Sequence, residues 1–547
     1  MSAADVTEVS AAAPPANKVE ELFPGLAAAA AAVPKPEGQT FSYGTAGFRT
    51  KGNLLDSTCF RMGLLCALRS YATQRVIGIC MTASHNPEED NGIKISDPDG
   101  GVLDMSWEQH CTNLANAPDD GVAAAVQAIV DAEDISLTGT DTIPTVFVAR
   151  DTRSTGKALC DHARDAALAL KANVLDFGEL TTPQLHYSVR TFNRGGGKSA
   201  PFTEAGYFQT YAAAFTALAG EHIKATGPRK LVLDGANGVG AFKVPMVQEA
   251  LGEFLSIDLR NNGQKADDVL NLNCGADFVY RGQKPPKGVD AKADQGVSIA
   301  SFDGDADRVV YHYFDEDGGW HLLDGDKLTC LYAYFLRGEV QELGLDGIKF
   351  GAVQTPYANG GSTIFMKQQG MEVRTAKTGV KHVHHVAIQF DIGVYFEANG
   401  HGTVVFSDSL IGQLQKFEHK TDRQKLAAER ILQSYALINQ GVGDAISDFL
   451  YVEAILAISG MTIQQWDALY ENVPSAQLAV RVPDRTAVST TADECRCTAP
   501  EGLQEGIDKA VAKHKLGRSF VRPSGTEDVV RIYAEADSKP NADALAA

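Results

Sequence analysis

The chain has 547 residues, with 49 lysines and arginines against 69 aspartates and glutamates, so its formal net charge is −20. This length predicts several domains with buried cores of their own. The acidic balance argues against nucleic acid or an anionic membrane surface as a partner, and no stretch approaches the about 18 apolar residues that a membrane-spanning helix needs.

Residues 1–40 are rich in alanine and proline, with an unbroken alanine run at 27–32. The start is not basic and acidic residues are present, so neither a secretory signal nor a transit peptide fits. The composition predicts a flexible or partly helical extension, to which we assign no chemistry.

An apolar run at residues 76–81 predicts a buried strand, and it leads directly into Thr-Ala-Ser-His-Asn-Pro at 82–87. Because the residue before a proline avoids the helical region, Asn86 and Pro87 predict a turn. Ser84 is therefore expected at a strand end, where α/β folds place reactive groups. Its hydroxyl could act as a nucleophile or a phosphate carrier; the alternative is a turn serine bonded to its own backbone.

Strand-like and helical stretches alternate along the chain, which is typical of βα units with mixed or parallel sheets. Residues 145–149 and 231–234 predict strands, and the second is followed by a glycine-rich turn at 235–240. Those glycines do not have the spacing of a dinucleotide-binding loop, so we interpret the turn as a tight strand-to-helix crossover. Residues 425–438 and 448–459 have helical periodicity and are expected to pack in the core.

Three aspartates, Asp303, Asp305 and Asp307, lie between two apolar stretches. Carboxylates at every second position project the same way if the backbone is extended, so we expect them to converge at the end of a sheet. Oxygen ligands of this kind suit Mg²⁺. A calcium loop is disfavoured because its last position, which needs a glutamate, is Phe314. The alternative is a solvated acidic turn.

The stretch Phe-Glu-Ala-Asn-Gly-His-Gly at 396–402 also follows one apolar run and precedes another. Glu397 and Asn399 are spaced to hydrogen-bond adjacent hydroxyls of a sugar ring. His401 has no second histidine or cysteine nearby at ligand spacing, so we interpret it as a polar site residue rather than a metal ligand.

Residues 522–527 read Arg-Pro-Ser-Gly-Thr-Glu and precede a strand-like run that contains Arg531. Arg522 and Arg531 supply planar bidentate donors, and Gly525 lets the backbone approach an anion closely. The loop lacks the Gly-Lys-Ser/Thr ending of a nucleotide P-loop. It is expected to bind a phosphate group, although a simple turn is also compatible with such a sequence.

Together, these four stretches in this order resemble the α-D-phosphohexomutase family, and the segment at 43–49 resembles its opening loop. The resemblance extends from about residue 40 to about residue 536. Within the family, residues 377–382 and 397–401 resemble the branch that acts on acetylglucosamine phosphates. The glucose and mannose branches usually carry a serine before the Gly-His pair.

The resemblance implies an α/β fold with a four-domain architecture around a central cleft: three α/β domains with mixed sheets and a smaller C-terminal α+β domain. Glycine, polar and proline punctuation predicts the boundaries. We expect an extension at 1–40, a phosphoserine-loop domain at 41–196, a metal-loop domain at 197–318, a sugar-loop domain at 319–472 and a phosphate-binding domain at 473–547.

The same resemblance implies roles for the site residues. Catalysis is assigned to Ser84, His85, Lys94 and Arg49, and the Mg²⁺ ligands to Ser84, Asp303, Asp305 and Asp307. Substrate binding is assigned to Glu397, Ala398, Asn399, His401, Arg522, Pro523, Ser524, Gly525, Thr526 and Arg531. Lys94 is expected either to move a proton, with its pKa lowered by Arg49 and the metal, or to serve as a phosphate charge partner. His85 is expected to position the serine loop.

The resemblance also implies a reaction. Phosphorylated Ser84 is expected to give its phosphoryl group to N-acetylglucosamine 6-phosphate, and the 1,6-bisphosphate to turn over within the cleft. The other phosphate then returns to the serine and leaves the 1-phosphate, on the route to UDP-N-acetylglucosamine. The first alternative is a glucose or mannose phosphate as substrate, and the second is a metal-dependent sugar phosphatase.

An acidic chain that binds sugar phosphates must concentrate its cations locally, and Arg49, Lys94, Arg522 and Arg531 are expected to form that cluster. Nine cysteines without paired zinc spacing predict reduced thiols and a cytoplasmic location. The expected partner is a small-molecule sugar phosphate, with neither nucleic acid nor a membrane.

Overall fold

The computed structural model describes residues 18–44, 47–139, 142–196, 202–524 and 528–547. Within these ranges the chain forms four successive units, whose main sheets have five, five, four and three strands. The first three sheets mix parallel and antiparallel pairs, and the last is antiparallel. This architecture confirms the predicted fold class.

The first unit has five strands, β1 (Phe48–Lys51), β2 (Ile77–Met81), β3 (Asp90–Ser96), β4 (Thr145–Arg150) and β5 (Asn173–Glu179). Its helices are α1 (Val19–Leu22), α2 (Leu26–Ala31), α3 (Asp56–Thr73), α4 (Glu108–Asn116), α5 (Val122–Ala132), α6 (Gly156–Ala169) and α7 (Thr182–Arg194). The sheet order is β1-β3-β2-β4-β5.

Alternate residues of β2 pack into two different cores. Ile77, Ile79 and Met81 join the core that contains α3 to α6, whereas Cys80 joins a smaller core with Leu185 of α7. Because side chains alternate across a strand, the sheet lies between two helical layers. This is why the apolar run of β2 is buried throughout.

Helices α1 and α2 pack on the first unit. Val19, Phe23, Leu26 and Ala30 recur at helical spacing, and all four are buried in its core. The backbone N–H of Val19 also donates to Gln127 Oε1 on α5 at 2.8 Å. Of the two predicted alternatives, a flexible or a partly helical extension, the structure has the partly helical one for residues 18–40, and an apolar stripe on two short helices holds the segment in place.

The second unit has strands β6 (Arg229–Asp234), β7 (Leu255–Arg260), β8 (Ser298–Phe302), β9 (Val309–Phe314) and β10 (Trp320–Leu323), with helices α8 (Glu204–Thr226), α9 (Val239–Leu251) and α10 (Ala276–Gly282). The order is β10-β9-β8-β6-β7, in which β8, β6 and β7 are parallel. The turn between β6 and α9 is the predicted strand-to-helix crossover.

The third unit has strands β11 (Phe350–Gln354), β12 (Glu372–Thr375), β13 (Ile392–Phe396) and β14 (Gly402–Phe406) in the order β12-β11-β13-β14. Its helices are α11 (Gly325–Leu343), α12 (Gly360–Gln368), α13 (Val380–Ala387), α14 (Asp408–Leu414), α15 (Asp422–Leu437), α16 (Ala445–Ser459) and α17 (Ile463–Asp467).

The second and third units share one hydrophobic core, which extends along the sequence from Tyr207 to Tyr470. Helix α8 of the second unit packs against α15 and α16 of the third. Helix α16 is buried on all sides from Ala445 to Ala457, as expected of an apolar helix that protein surrounds. The chain therefore passes from the second sheet, which ends with β10, to the third, which begins with β11, without a break in the core.

The fourth unit has strands β15 (Ser475–Arg481), β16 (Ser489–Thr490), β17 (Cys497–Ala499), β18 (Arg518–Pro523) and β19 (Val529–Glu535), with helices α18 (Leu503–Val511) and α19 (Lys539–Ala546). The main sheet has the order β15-β19-β18, and β16 pairs with β17. Short 3-10 helices are found at Gly52–Leu54, Met105–Trp107, Asp119–Gly121, Gly252–Phe254 and Arg485–Ala487.

The fourth unit is docked on the third through Arg518. Its Nη1 donates to Pro356 O at 2.7 Å, and its Nε donates to Glu535 Oε2 at 2.9 Å. Glu535, which is buried, also accepts from the backbone N–H of Gly360 at 2.9 Å. None of the described helices has both the length and the apolar composition that crossing a bilayer requires.

Candidate active site

Ser84 follows the carboxyl end of β2 and is held by bonds to its hydroxyl and its backbone. Its Oγ donates to Asp303 Oδ2 at 2.6 Å, and its backbone N–H lies 3.0 Å from Thr82 Oγ1. Its φ is +54°, a left-handed conformation that costs a serine free energy unless the surroundings fix it. The strand-end serine is therefore directed at a carboxylate from the second unit.

Arg153, which follows β4, holds the backbone of the serine loop. This buried guanidinium donates to the carbonyl oxygens of Ser84 at 3.0 Å, Asn86 at 2.9 Å and Asp90 at 2.9 Å. Asp151 in turn accepts from Arg153 Nε at 3.0 Å. Hydrogen bonds from a charged donor are stronger than neutral ones, so the Arg153 side chain fixes the loop that carries Ser84.

Asp303, Asp305 and Asp307 converge, with one carboxylate oxygen of each lying within 4.8 Å of the others. They converge on a turn, in which the Ala306 N–H donates to Asp303 O at 3.1 Å and Ala306 has a φ of +57°. The expected extended backbone is therefore wrong, because the small Ala306 lets the chain turn as soon as β8 ends.

The three carboxylates fit a divalent cation. All are buried, and in the described part of the chain Asp305 Oδ1 and Asp307 Oδ1 have no hydrogen-bond partner. Unpaired buried carboxylate oxygens are costly, and hard cations such as Mg²⁺ bind them. Burial and the charges of Asp307 and Asp305 raise the pKa of Asp303, which is the electrostatic strain that a bound cation would relieve.

Lys94, on β3, closes one side of this carboxylate cluster. Its Nζ donates to Asp305 Oδ2 at 2.7 Å and to Asp307 Oδ2 at 2.6 Å. Burial acts to lower the pKa of Lys94, but the two carboxylates raise it above its ordinary value despite the opposing charge of Arg49. With this raised pKa Lys94 is protonated and acts as a charge partner of the two carboxylates, whereas the lowering expected from Arg49 and the metal together stays a prediction.

Several donors next to the cluster lack an acceptor. Arg49 Nε and Arg308 Nε are buried and have no hydrogen-bond partner among the described residues, although Arg308 Nε lies 3.6 Å from Asp307 Oδ1 as an ion pair. The ring nitrogen His85 Nδ1 is likewise buried without a hydrogen-bond partner there. Burial, followed by the charges of Arg308 and Arg49, lowers the pKa of His85, so its imidazole is neutral. Two buried guanidinium groups with spare N–H donors match what a phosphoryl group on the neighbouring serine would need.

A cavity of about 900 Å³ lies over the cluster and is lined by residues of all four units. Four of its described lining residues are carboxylates, although the chain as a whole is strongly acidic. Eight are cationic: Arg49, Lys94, Arg281, Arg308, Lys377, Lys381, Arg522 and Arg531. The four cations expected to cluster are among them. Ser84 and His85 are not among its described lining residues.

Arg522 and Arg531 are register partners on β18 and β19, so their side chains share one face of the sheet. Arg522 Nε donates to Tyr357 Oη at 3.0 Å, and Arg522 Nη1 lies 3.5 Å from Glu494 Oε1. Like charges directly opposite each other destabilise a strand pair, and an anion between them would remove that repulsion.

Two further residues of the predicted phosphate loop, Pro523 and Ser524, are among the described residues. Pro523 and Ser524 line the cavity. The Ser524 N–H donates to Val529 O at 2.9 Å, which closes the loop at its base. Gly525 and Thr526 lie outside the described residues.

The predicted sugar loop reaches the cavity through two of its four residues. Glu397 and His401 are part of the described lining, whereas Ala398 and Asn399 are not. Glu397 Oε1 accepts from the Gly379 N–H at 2.9 Å, and burial raises the pKa of Glu397. Asn399 Oδ1 accepts from the His401 N–H at 3.0 Å, so in this structure Asn399 shapes the loop.

Some contacts of the site carry no local signal in the sequence. Thr182, at the start of α7, donates to Asp305 Oδ2 at 2.6 Å. Lys381 on α13 forms an ion pair with Glu108 on α4, which links the third unit to the first at the cavity. Each contact joins segments more than a hundred residues apart, so sequence spacing could not reveal it.

Sequence models of known families match four parts of the chain. Domains II and III of phosphoacetylglucosamine mutase AMG1 match residues 198–310 and 324–461. Domain I of phosphoglucomutase/phosphomannomutase, an α/β/α domain, matches 65–121 and 117–198, and the C-terminal domain of the same family matches 475–547.

Whole-length relatives decide between the branches of the superfamily. The phosphoacetylglucosamine mutase of Sus scrofa is 48% identical over 516 residues, covering 94% of this chain and 93% of the relative. That of Homo sapiens is 48% identical over 518 residues, with the same coverage. The chain belongs to the phosphoacetylglucosamine mutase family. The predicted family and its acetylglucosamine branch are thus confirmed.

Solved structures of phosphoacetylglucosamine mutases share the whole fold. The N-acetylphosphoglucosamine mutase of Aspergillus fumigatus has a TM-score of 0.91 at 41% identity, covering 98% of this chain and 97% of that chain. The same enzyme has been solved with GlcNAc-6P and magnesium, with a TM-score of 0.89 at 41% identity over 98% of both chains. It has also been solved with glucose 1,6-bisphosphate, with a TM-score of 0.87.

Proposed function

We propose that this chain is an isomerase that interconverts N-acetylglucosamine 6-phosphate and N-acetylglucosamine 1-phosphate through phosphorylated Ser84 and a 1,6-bisphosphate. The observation that carries the proposal is the Ser84 hydroxyl, 2.6 Å from Asp303 in a buried carboxylate cluster beside two guanidinium groups with spare donors. Membership of the phosphoacetylglucosamine mutase family supports the acetylated sugar as substrate.

Asp303, Asp305 and Asp307 would hold Mg²⁺ together with an oxygen of the phosphorylated Ser84. Bound there, the ion supplies positive charge next to the phosphoryl group that is transferred. The unpartnered oxygens of Asp305 and Asp307 support this assignment, as does the magnesium bound with GlcNAc-6P in the Aspergillus fumigatus relative.

In the first half-reaction a sugar hydroxyl attacks the phosphorus on Ser84. The bond from phosphorus to Ser84 Oγ breaks as the bond to the sugar oxygen forms. Arg49 and Arg308 donate to the phosphoryl oxygens, and Lys94 contributes its charge. The second half-reaction is the reverse of the first: the Ser84 hydroxyl attacks the other phosphate of the bisphosphate, and the sugar oxygen leaves and takes up the proton.

The hydroxyl proton passes to a basic group beside Ser84, for which Lys94, Arg49 and His85 are the predicted candidates. His401 lines the cavity as a polar contact for substrate, because burial lowers its pKa to about 4 and leaves it a weak base.

The phosphate that does not react is held at the other end of the cavity. Arg522, Arg531 and Ser524 grip it, and the proposal includes Gly525 and Thr526 of the same loop. Binding energy from contacts with this remote phosphate serves to orient the reacting end of the substrate. Once the bisphosphate has turned over within the cavity, the same grip receives the newly transferred phosphate, so one reactive serine serves both directions.

The sugar ring is held between these two ends. We assign contact with its hydroxyls to Glu397, which lines the cavity and is oriented by the Gly379 N–H. Asn399 supports that role by fixing the loop between Glu397 and His401.

A sugar phosphate is the partner that this proposal requires, and we place the reaction in the cytoplasm. All nine cysteines are free, and all but Cys495 are buried. Free thiols in such number are typical of reducing compartments.

A coupled mutase assay tests the proposal, with N-acetylglucosamine 6-phosphate, glucose 6-phosphate and mannose 6-phosphate compared in Mg²⁺ and a trace of the matching bisphosphate. We expect a clear preference for the acetylated sugar and loss of turnover in Ser84→Ala with retained fold. Release of inorganic phosphate in place of isomerisation would mean a phosphatase. Turnover by Ser84→Ala at the wild-type rate would exclude the phosphoserine route.

A further inference from the structure

Asn271 connects the loops of two units behind the reactive serine. It lies between β7 and α10 in the second unit, and its Nδ2 lies 2.9 Å from Ser84 O and 2.9 Å from Asn86 O, both in the first unit. Because both partners are carbonyl oxygens, the amide must face them with its nitrogen. We infer that Asn271 is a positioning residue for phosphoryl transfer, which fixes the Ser84 backbone relative to the unit that carries the metal-site aspartates.

The need for such a residue follows from the conformation of Ser84. A serine with a φ of +54° stays there only where its surroundings fix it. Arg153 grips the Ser84 carbonyl from within the first unit, but Asp303, the partner of the hydroxyl, belongs to the second. Asn271 contacts the same Ser84 carbonyl from the second unit. The backbone and the hydroxyl of Ser84 are therefore both positioned by residues of that unit.

The position of Asn271 is itself fixed by the backbone around it. Its backbone has a φ of +60°, and its N–H donates to Ala236 O at 2.9 Å. A Cβ on Gly304, next to Asp303, would lie 2.5 Å from Ser84 O and 2.8 Å from Asn271 Nδ2. The serine loop, the aspartate loop and the Asn271 loop are therefore in direct contact, and a shift of one moves the others.

This inference rests on the proposed mutase function. A displaced serine would still leave the cavity able to bind substrate, since Asn271 is not among its described lining residues. Misplacement of a reacting group by about 1 Å can lower the rate by about a hundredfold. Loss of the Asn271 contact should therefore lower kcat and leave KM nearly unchanged.

The test compares Asn271→Asp with Asn273→Asp in the full-length protein. Asn273 lies in the same loop, is also left-handed with a φ of +57°, and is exposed. Its side chain makes no hydrogen bond within the described residues. Both variants make the same chemical change, but only Asn271→Asp places a carboxylate oxygen against two carbonyl oxygens. Asn271→Ala and Asn273→Ala form the second pair if either Asp variant does not fold.

The measurements are kcat and KM for N-acetylglucosamine 6-phosphate, the single-turnover rate of transfer from phosphorylated enzyme, and the thermal unfolding midpoint. We expect at least a tenfold fall in kcat and in the transfer rate for Asn271→Asp, a KM within twofold, and Asn273→Asp within twofold of wild type throughout. A folded Asn271 variant that transfers at the control rate would overturn the inference, even if less stable. Wild-type protein that isomerises none of the sugar phosphates would instead overturn the proposed function.

Discussion

At the scale of single residues, two positive charges face each other: Arg522 on β18 is the register partner of Arg531 on β19. No carboxylate of these two positions balances the two charges. Tyr357 and Glu494 engage Arg522, whereas Arg531 is exposed. A guanidinium that grips a phosphate oxygen is worth about 1.5–3 kcal/mol, because hydrogen bonds to charged groups exceed neutral ones. The pair can therefore carry much of the affinity for a doubly charged group.

Replacement of Arg522 by alanine is expected to raise the KM for the sugar phosphate by about tenfold to a hundredfold, as one such contact is lost. Steady-state kinetics on the proposed substrate would measure this. Arg496→Ala is the matched control, since Arg496 pairs with Asp508 on the surface of the same unit. A fall in kcat at unchanged KM would contradict the assignment of Arg522 to the remote phosphate.

The sequence located the residues that follow apolar strands, and it missed those that contact Ser84 from distant positions in the chain. Ser84 and the three aspartates stand at strand ends, where a run of buried residues stops and a turn begins. Arg153 bonds Ser84 from 69 positions away and Asn271 from 187. Nothing local distinguishes such residues from other polar loop residues, because their role depends on which distant loops the fold brings together.

At the scale of elements, the apolar stripe of α1 and α2 is hard to recognise in the sequence because of the composition of the segment. Buried positions recur at 19, 23, 26 and 30, which is helical spacing, but alanine and proline dominate the segment. The starts of α15 and α16 were likewise predicted three residues late. Thr421 and Asp444 cap these helices with their side chains, and a capping residue is polar and interrupts the apolar pattern.

Replacement of Leu26 by alanine should lower the free energy of unfolding of the first unit by about 2–3 kcal/mol, since the deleted atoms are fully buried. The midpoint of the first thermal unfolding transition would report this loss. Glu20→Ala serves as the control, because Glu20 is exposed on α1 and surface changes stay within about 0.5 kcal/mol. Equal midpoints for the two variants would mean that α2 contributes nothing to the stability of the unit.

At the scale of the whole molecule, the cavity exists only where all four units meet. The fourth unit is connected to the third by Arg518, Glu535 and the backbone around Gly360. These bonds hold strands β18 and β19, which carry Arg522 and Arg531 of the proposed phosphate site, over the cavity. Family resemblance predicted four units and a cleft, but the docking contacts depend on three-dimensional packing that no sequence pattern encodes.

Replacement of Arg518 by alanine would leave the buried Glu535 without its cation, at a cost of about 2 kcal/mol or more. We expect faster amide hydrogen exchange in β18 and β19 and a higher KM, since the grip on the remote phosphate becomes mobile. Arg481→Ala on the exposed strand β15 is the control. Unchanged exchange in β18 and β19 would show that other contacts dock the fourth unit.

The common core of the second and third units bears on how such a protein can change during evolution. Family comparison divides this stretch into two modules, yet α8 of one lies against α15 and α16 of the other. Exchange of either module for the corresponding module of a distant relative would expose an apolar face on both. The two modules should therefore evolve as one unit, with substitutions in α8 matched by substitutions in α16. Chimaeric proteins should be joined outside residues 207–470, so that the common core stays intact.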